Sequence, residues 1–76
     1  MKKKLSELKS DQRGEIAALN GGEQFQLRLK SRGVRKGETV TVITRQPGGP
    51  LVIQAGRTQL TVGRGMAEKI LVEVEE

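Results

Sequence analysis

Gly33-Val34-Arg35-Lys36-Gly37-Glu38-Thr39-Val40-Thr41-Val42 is the stretch that decides how this chain folds. A short helical pattern runs into Gly33. A second glycine, Gly37, then opens a run in which Val40 and Val42 alternate with Thr39 and Thr41. Glycine just past a helix takes a left-handed conformation at lower cost than other residues. Strict alternation marks a strand with one dry face and one wet face. The chain therefore turns sharply out of a helix into a strand of a barrel or sandwich.

Upstream of that junction, Glu23 to Arg32 is the one good helical segment. Phe25 and Leu29 lie four apart and share a face, which assigns both to the core. Glu23 at the start and Arg32 at the end suit the helix dipole. Asn20-Gly21-Gly22 separates this helix from a first strand over Gly14–Leu19. Leu5-Ser6-Glu7-Leu8 places two leucines three apart, as a turn or helical start that tucks an apolar edge onto the body.

Downstream, the strand runs from Glu38 to Arg45, and Gln46-Pro47-Gly48-Gly49-Pro50 ends it as a loop, since prolines cannot sustain a ladder. Leu51–Ala55 and Thr58–Val62 follow as strands joined through Gly56-Arg57. Met66–Lys69 reads as a single helical turn, and Ile70–Val74 as the closing strand. Short strands with glycine at the corners predict a small antiparallel barrel of about five strands with one main helix. Residues 1–76 leave room for a single domain.

Composition narrows the chemistry. The chain has no histidine and no cysteine, and Phe25 is its one aromatic. The commonest general base, the usual transition-metal ligands and thiol chemistry are all missing. Asp11 and the glutamates Glu7, Glu15, Glu23, Glu38 and Glu68 are scattered, with no pairing that points to catalysis. The reading is of a non-enzymatic protein with no cofactor and no metal site. Lack of cysteine fits a reducing cytoplasm. The lysines at the N-terminus are followed by Glu7 and Asp11 rather than an apolar run, so no secretion signal is expected. No stretch is long enough to insert in a bilayer.

The formal net charge is +5, which implies an anionic partner. Lys2, Lys3, Lys4, Lys9 and Arg13 crowd the start. Arg28, Lys30, Arg32, Arg35 and Lys36 crowd the middle, and Glu73, Glu75 and Glu76 make the end acidic. Barrels that bind single-stranded nucleic acid stack bases on exposed aromatics. With Phe25 assigned to the core, nucleic acid is the weaker candidate, although phosphate binding by charge alone stays open.

Several groups of residues, in this order and spacing, resemble the FeoA family, the small cytoplasmic component of bacterial ferrous iron transport. They are Leu5-Ser6-Glu7-Leu8 with Gly14 and Ile16; Arg28-Leu29 with Gly33-Val34 and Gly37; Pro47-Gly48-Gly49-Pro50; and Gly56, Leu60, Ala67, Ile70 and Val72. The resemblance runs nearly end to end. It implies an SH3-like barrel that binds and regulates FeoB, a membrane transporter with a cytoplasmic GTPase domain. The same resemblance places this fold at the C-terminus of DtxR-like metal-dependent repressors, and this chain has no helix-turn-helix segment. The sequence departs from the family where Lys30 and Arg32 replace common leucines and Lys36 replaces a common proline.

The expected function is thus regulation of a FeoB-like membrane transporter by protein contact. Arg28, Arg32, Arg35 and Lys36 are expected to steer toward an acidic face, with Leu29 and Val34 as apolar contacts. The expected location is cytoplasmic, at the inner membrane through the partner, with self-association through exposed strand edges left open. Two alternatives stand beside this reading: a basic nucleic-acid-binding barrel, and a metal-sensing domain related to that of DtxR-like repressors.

Overall fold

A computed structural model describes residues 1–75. Six antiparallel strands form one sheet: β1 (Lys2–Lys4), β2 (Arg13–Leu19), β3 (Thr39–Arg45), β4 (Leu51–Ala55), β5 (Thr58–Val62) and β6 (Ile70–Glu73). Helix α1 (Glu23–Ser31) lies between β2 and β3, the single turn α2 (Arg64–Ala67) lies between β5 and β6, and a 3-10 turn covers Leu5–Glu7. The order across the sheet is β1-β6-β2-β3-β4-β5.

The small-barrel architecture expected from the sequence is present, with two corrections. There are six strands rather than about five, because Lys2–Lys4 pairs with β6 (Lys3 opposite Val72). Three lysines in a row carry no alternation to read, and backbone pairing with β6, beside the Met1–Glu73 ion pair, holds them at the sheet edge. The barrel is also not closed. β1 and β5 are the free ends of the sheet, with no ladder between them among the described residues.

Curvature comes from two register shifts, at Ala17 in the β2–β6 pairing and at Ile43 in the β3–β4 pairing. An extra residue on one strand bends it and increases its twist. The sheet thereby curls around a core that includes Ile16, Val40, Val42, Ile53, Ile70 and Val72. Leu5 and Leu8 from the 3-10 turn are fully buried in the same core, as the apolar-edge reading of that segment expects. Arg45 fastens this turn by donating from Nη1 to the Leu8 carbonyl at 3.0 Å. No polar or charged residue is buried among the described residues, so the core carries no desolvated charge.

Phe25 corrects a further expectation. It is half-buried at the margin of the core, not inside it. Its ring lies over Gly21, where a Cβ would come within 2.1 Å of the ring. The Lys69 ammonium sits 5.7 Å from the ring centroid, within cation–π range.

Candidate partner interface

The cationic end of the molecule is built by two consecutive glycine turns. At the first, the Gly33 N–H donates to the Lys30 carbonyl (3.1 Å) and the Val34 N–H to the Leu29 carbonyl (2.9 Å), with Gly33 at φ +88°. These two bonds form a Schellman motif. Such a motif sets an apolar contact between the residue two past the cap and the third from the helix end, which here are Val34 and Leu29. Both are buried, at 0% and 1% exposure.

At the second turn, the Glu38 N–H donates to the Arg35 carbonyl (3.1 Å), and Gly37 has φ +93°. Positive φ at the third residue of the turn makes it type II. The Gly37 N–H also donates to the Ile16 carbonyl (2.8 Å), and the Ile16 N–H donates to the Glu38 carbonyl (2.9 Å). The turn is therefore clamped to β2. Arg28, Lys30, Arg32, Arg35 and Lys36 project from this frame, and all are exposed.

Of the six residues expected at the interface, the structure brings four, Arg28, Arg32, Arg35 and Lys36, to the surface along α1 and its exit. Leu29 and Val34 are instead spent on terminating the helix and filling the core, so they do not present a surface. Leu27, at 59% exposure, is the apolar side chain that α1 does present.

Arg57 was outside the expected set. It lies in the two-residue connection between Ala55 and Thr58, which pair with each other, and Gly56 has φ +62°. That turn packs against the exit of α1. A Cβ on Gly56 would lie 2.9 Å from the Glu38 carboxylate, and one on Gly33 would lie 4.0 Å from Thr58 Oγ1. The hairpin thus delivers Arg57 to the same end as Arg35 and Lys36, from about twenty residues further along the chain. No local sequence pattern could have signalled it.

The single ion pair among the described residues joins the Met1 α-amino group to Glu73 and engages none of these cations. The hydrogen bond from that ammonium holds the Glu73 carboxyl below the ordinary glutamate range. The cations of the α1 end are therefore unpaired within the described residues and available to an external anion.

An open depression of about 590 Å³ lies elsewhere, over Gly14 and between Arg13, Glu15, Thr39, Glu73 and Glu75. Glu15 and Glu73 are direct register partners there. Among the described residues, no three acidic or other ligand side chains gather as a metal site would require. No helix among the described residues is long and apolar enough to cross a membrane.

Comparison with known proteins gives a consistent picture. The FeoA domain family model matches residues 3–74. A curated protein of Methanocaldococcus jannaschii named Fe(2+) transport protein A is 34% identical over 61 residues, spanning 80% of this chain and 73% of that one. The crystal structure of an iron uptake regulatory protein, FeoA, superimposes with a TM-score of 0.90 at 30% identity, covering 96% of this chain and 97% of the other. The zinc complex of Stenotrophomonas maltophilia FeoA, described as a procaryotic SH3 domain protein, gives 0.80 at 27% identity, covering 96% and 89%. The fold recurs inside a manganese-dependent transcriptional repressor, with a TM-score of 0.88 at 17% identity. There it covers 97% of this chain and 42% of the other.

Proposed function

The chain belongs to the FeoA family, and from that membership we propose that it is a non-enzymatic regulatory module of ferrous iron transport, acting by docking onto the cytoplasmic part of a FeoB-like transporter. The observation that carries this reading is the α1 end itself. Exposed Arg28, Arg32, Arg35 and Lys36, joined by Arg57, are held on a hydrogen-bonded frame and have no acidic partner among the described residues. Such a surface steers toward an acidic face and fixes orientation there. Exposed Leu27 supplies apolar contact at its margin. The protein then works on the cytoplasmic side, reaching the membrane through its partner.

The test is co-purification with the transporter from detergent-solubilised membranes over a range of salt concentrations. Binding is expected to weaken as salt rises and to fall about tenfold or more in Arg32→Glu, while cooperative melting of that variant is retained. Recovery that ignores both salt and the charge reversal would overturn the proposal. A salt-sensitive shift of generic oligonucleotides, with no transporter recovered, would assign the same cations to nucleic acid instead.

A further inference from the structure

The two edges of the open sheet are guarded very differently. β1 presents Lys2, Lys3 and Lys4, the kind of charge that discourages a further strand from adding. β5 has the sequence Thr58-Gln59-Leu60-Thr61-Val62, with no charge, no proline and no bulge in its pairing.

The register fixes what its free edge offers. Ala55 and Thr58 close a two-residue hairpin and exchange hydrogen bonds, so bonding to β4 alternates through Thr58, Leu60 and Val62. The N–H and C=O groups of Gln59 and Thr61 therefore point away from the sheet. Among the described residues, no loop or turn backbone group bonds to them. Leu60 is only half-buried against the core, because no strand lies beyond it.

We propose that the outer edge of β5 receives an extended segment of a partner protein as a seventh strand. The segment carries a carboxylate at each end and apolar residues on its inner face. Main-chain bonds to Gln59 and Thr61 provide the attachment, and an apolar residue opposite Leu60 completes that side chain's burial. Charge sets the ends. Arg57 precedes the strand and Arg64 follows it, both exposed and neither ion-paired among the described residues. This arrangement also disfavours a second copy of the chain. In a two-fold pairing centred on Leu60, Arg57 of one copy would meet the end carrying Arg64 of the other, at both ends of the interface. The inference goes beyond the docking of the cationic α1 end and does not depend on which protein meets that end.

The test uses a capped heptapeptide, Glu-Val-Thr-Val-Thr-Val-Glu, titrated into isotopically labelled protein. Amide exchange at Gln59 and Thr61 is expected to slow at least about tenfold, with saturable shifts confined to β5 and its flanks. The same peptide with lysine at both ends, or N-methylated on the amides that face the edge, is expected not to bind. Thr61→Pro is expected to abolish binding while leaving the fold intact, because the Thr61 N–H lies outside the β4 ladder. The N-methylated peptide makes the same test without altering the protein. Absence of saturable protection, equal binding of the lysine-ended peptide, or protection of these amides by dimerisation of the free protein would each overturn the proposal.

Discussion

Lys36 and Gly14 show how single positions carry the architecture. Lys36 is the second residue of the type II turn closed between Arg35 and Glu38, where proline is favoured because its fixed φ is already correct. The Lys36 N–H takes no part in the backbone bonds of the surrounding turns. Lys36→Pro should therefore stabilise the fold by about 0.4–1 kcal/mol, mainly by restricting the unfolded chain. It should also weaken partner binding by removing a cation. Chemical denaturation and the co-purification assay would then move in opposite directions, and a lowered denaturation midpoint would refute the turn assignment. Gly14 is the reverse case. A Cβ there would lie 2.5 Å from both the Glu73 carbonyl oxygen and Val72 Cγ1, and 2.9 Å from Val74 Cγ1. One of these atoms is backbone in a paired strand and cannot step aside. Gly14→Ala should cost about 1–3 kcal/mol, outweighing what alanine returns through the unfolded state. Equal or higher thermal stability in that variant would show that β2 and β6 are not packed as closely as described.

Among the elements, those with an apolar pattern of their own were legible and β1, which has none, was not. β3, β4 and β5 fall within one residue of their sequence-based bounds, because β3 and β5 alternate apolar with polar residues and β4 is a short apolar run, Leu51-Val52-Ile53, bounded by Pro50 and Gly56. Helix α1 ends one residue early, at Ser31, with Gly33 terminating it as expected. β1 escaped notice because Lys2–Lys4 has no apolar member. The exposed cations on which the proposed interface rests were legible where they are contiguous in sequence, from Arg28 to Lys36, and not where strand pairing brings Arg57 to the same end. Leu29, expected both as core through its pairing with Phe25 and as a partner contact, is core, and Val34, expected as a contact, is buried with it, because the Schellman motif at Gly33 packs the two together. The attachment of β1 makes its own prediction. The Met1 α-amino group pairs with Glu73 and donates to the Val74 carbonyl, and the Val74 N–H donates to the Met1 carbonyl (2.8 Å). The Glu73 carboxyl is held below the ordinary glutamate value of 4.5, first by the hydrogen bond from that ammonium. A depressed folded-state pKa contributes stability above the unfolded value, which is lost as pH falls through the folded one. Acidification through and below the ordinary glutamate range should thus loosen β1 before β3 and β4, read as a local loss of amide protection after correction for intrinsic exchange. Glu73→Gln should show the looser β1 at neutral pH and little further change on acidification. Simultaneous loosening of all strands in the parent protein would remove Glu73 from that role.

Over the whole molecule, a net charge of +5 is set against a single ion pair among the described residues, between Met1 and Glu73. The excess positive charge is therefore not consumed in holding the fold together. Its effect falls on encounter with other molecules, and the two kinds of contact at the proposed interface should separate kinetically. Cations at an exposed rim act over roughly a Debye length, about 10 Å at 0.1 M salt, and accelerate approach without tightening the final contact. Exposed Leu27 acts only after contact, by leaving water. Raising salt from about 50 to about 500 mM should therefore slow association with the transporter's cytoplasmic domain on the order of tenfold while dissociation changes little. Leu27→Ala should do the opposite, leaving association near its original rate and speeding dissociation. Surface-immobilised binding kinetics would measure both rates. If salt acted mainly on dissociation, the cations would have to be buried and paired in the complex, and steering by the α1 end would be the wrong account of how this small barrel finds its partner.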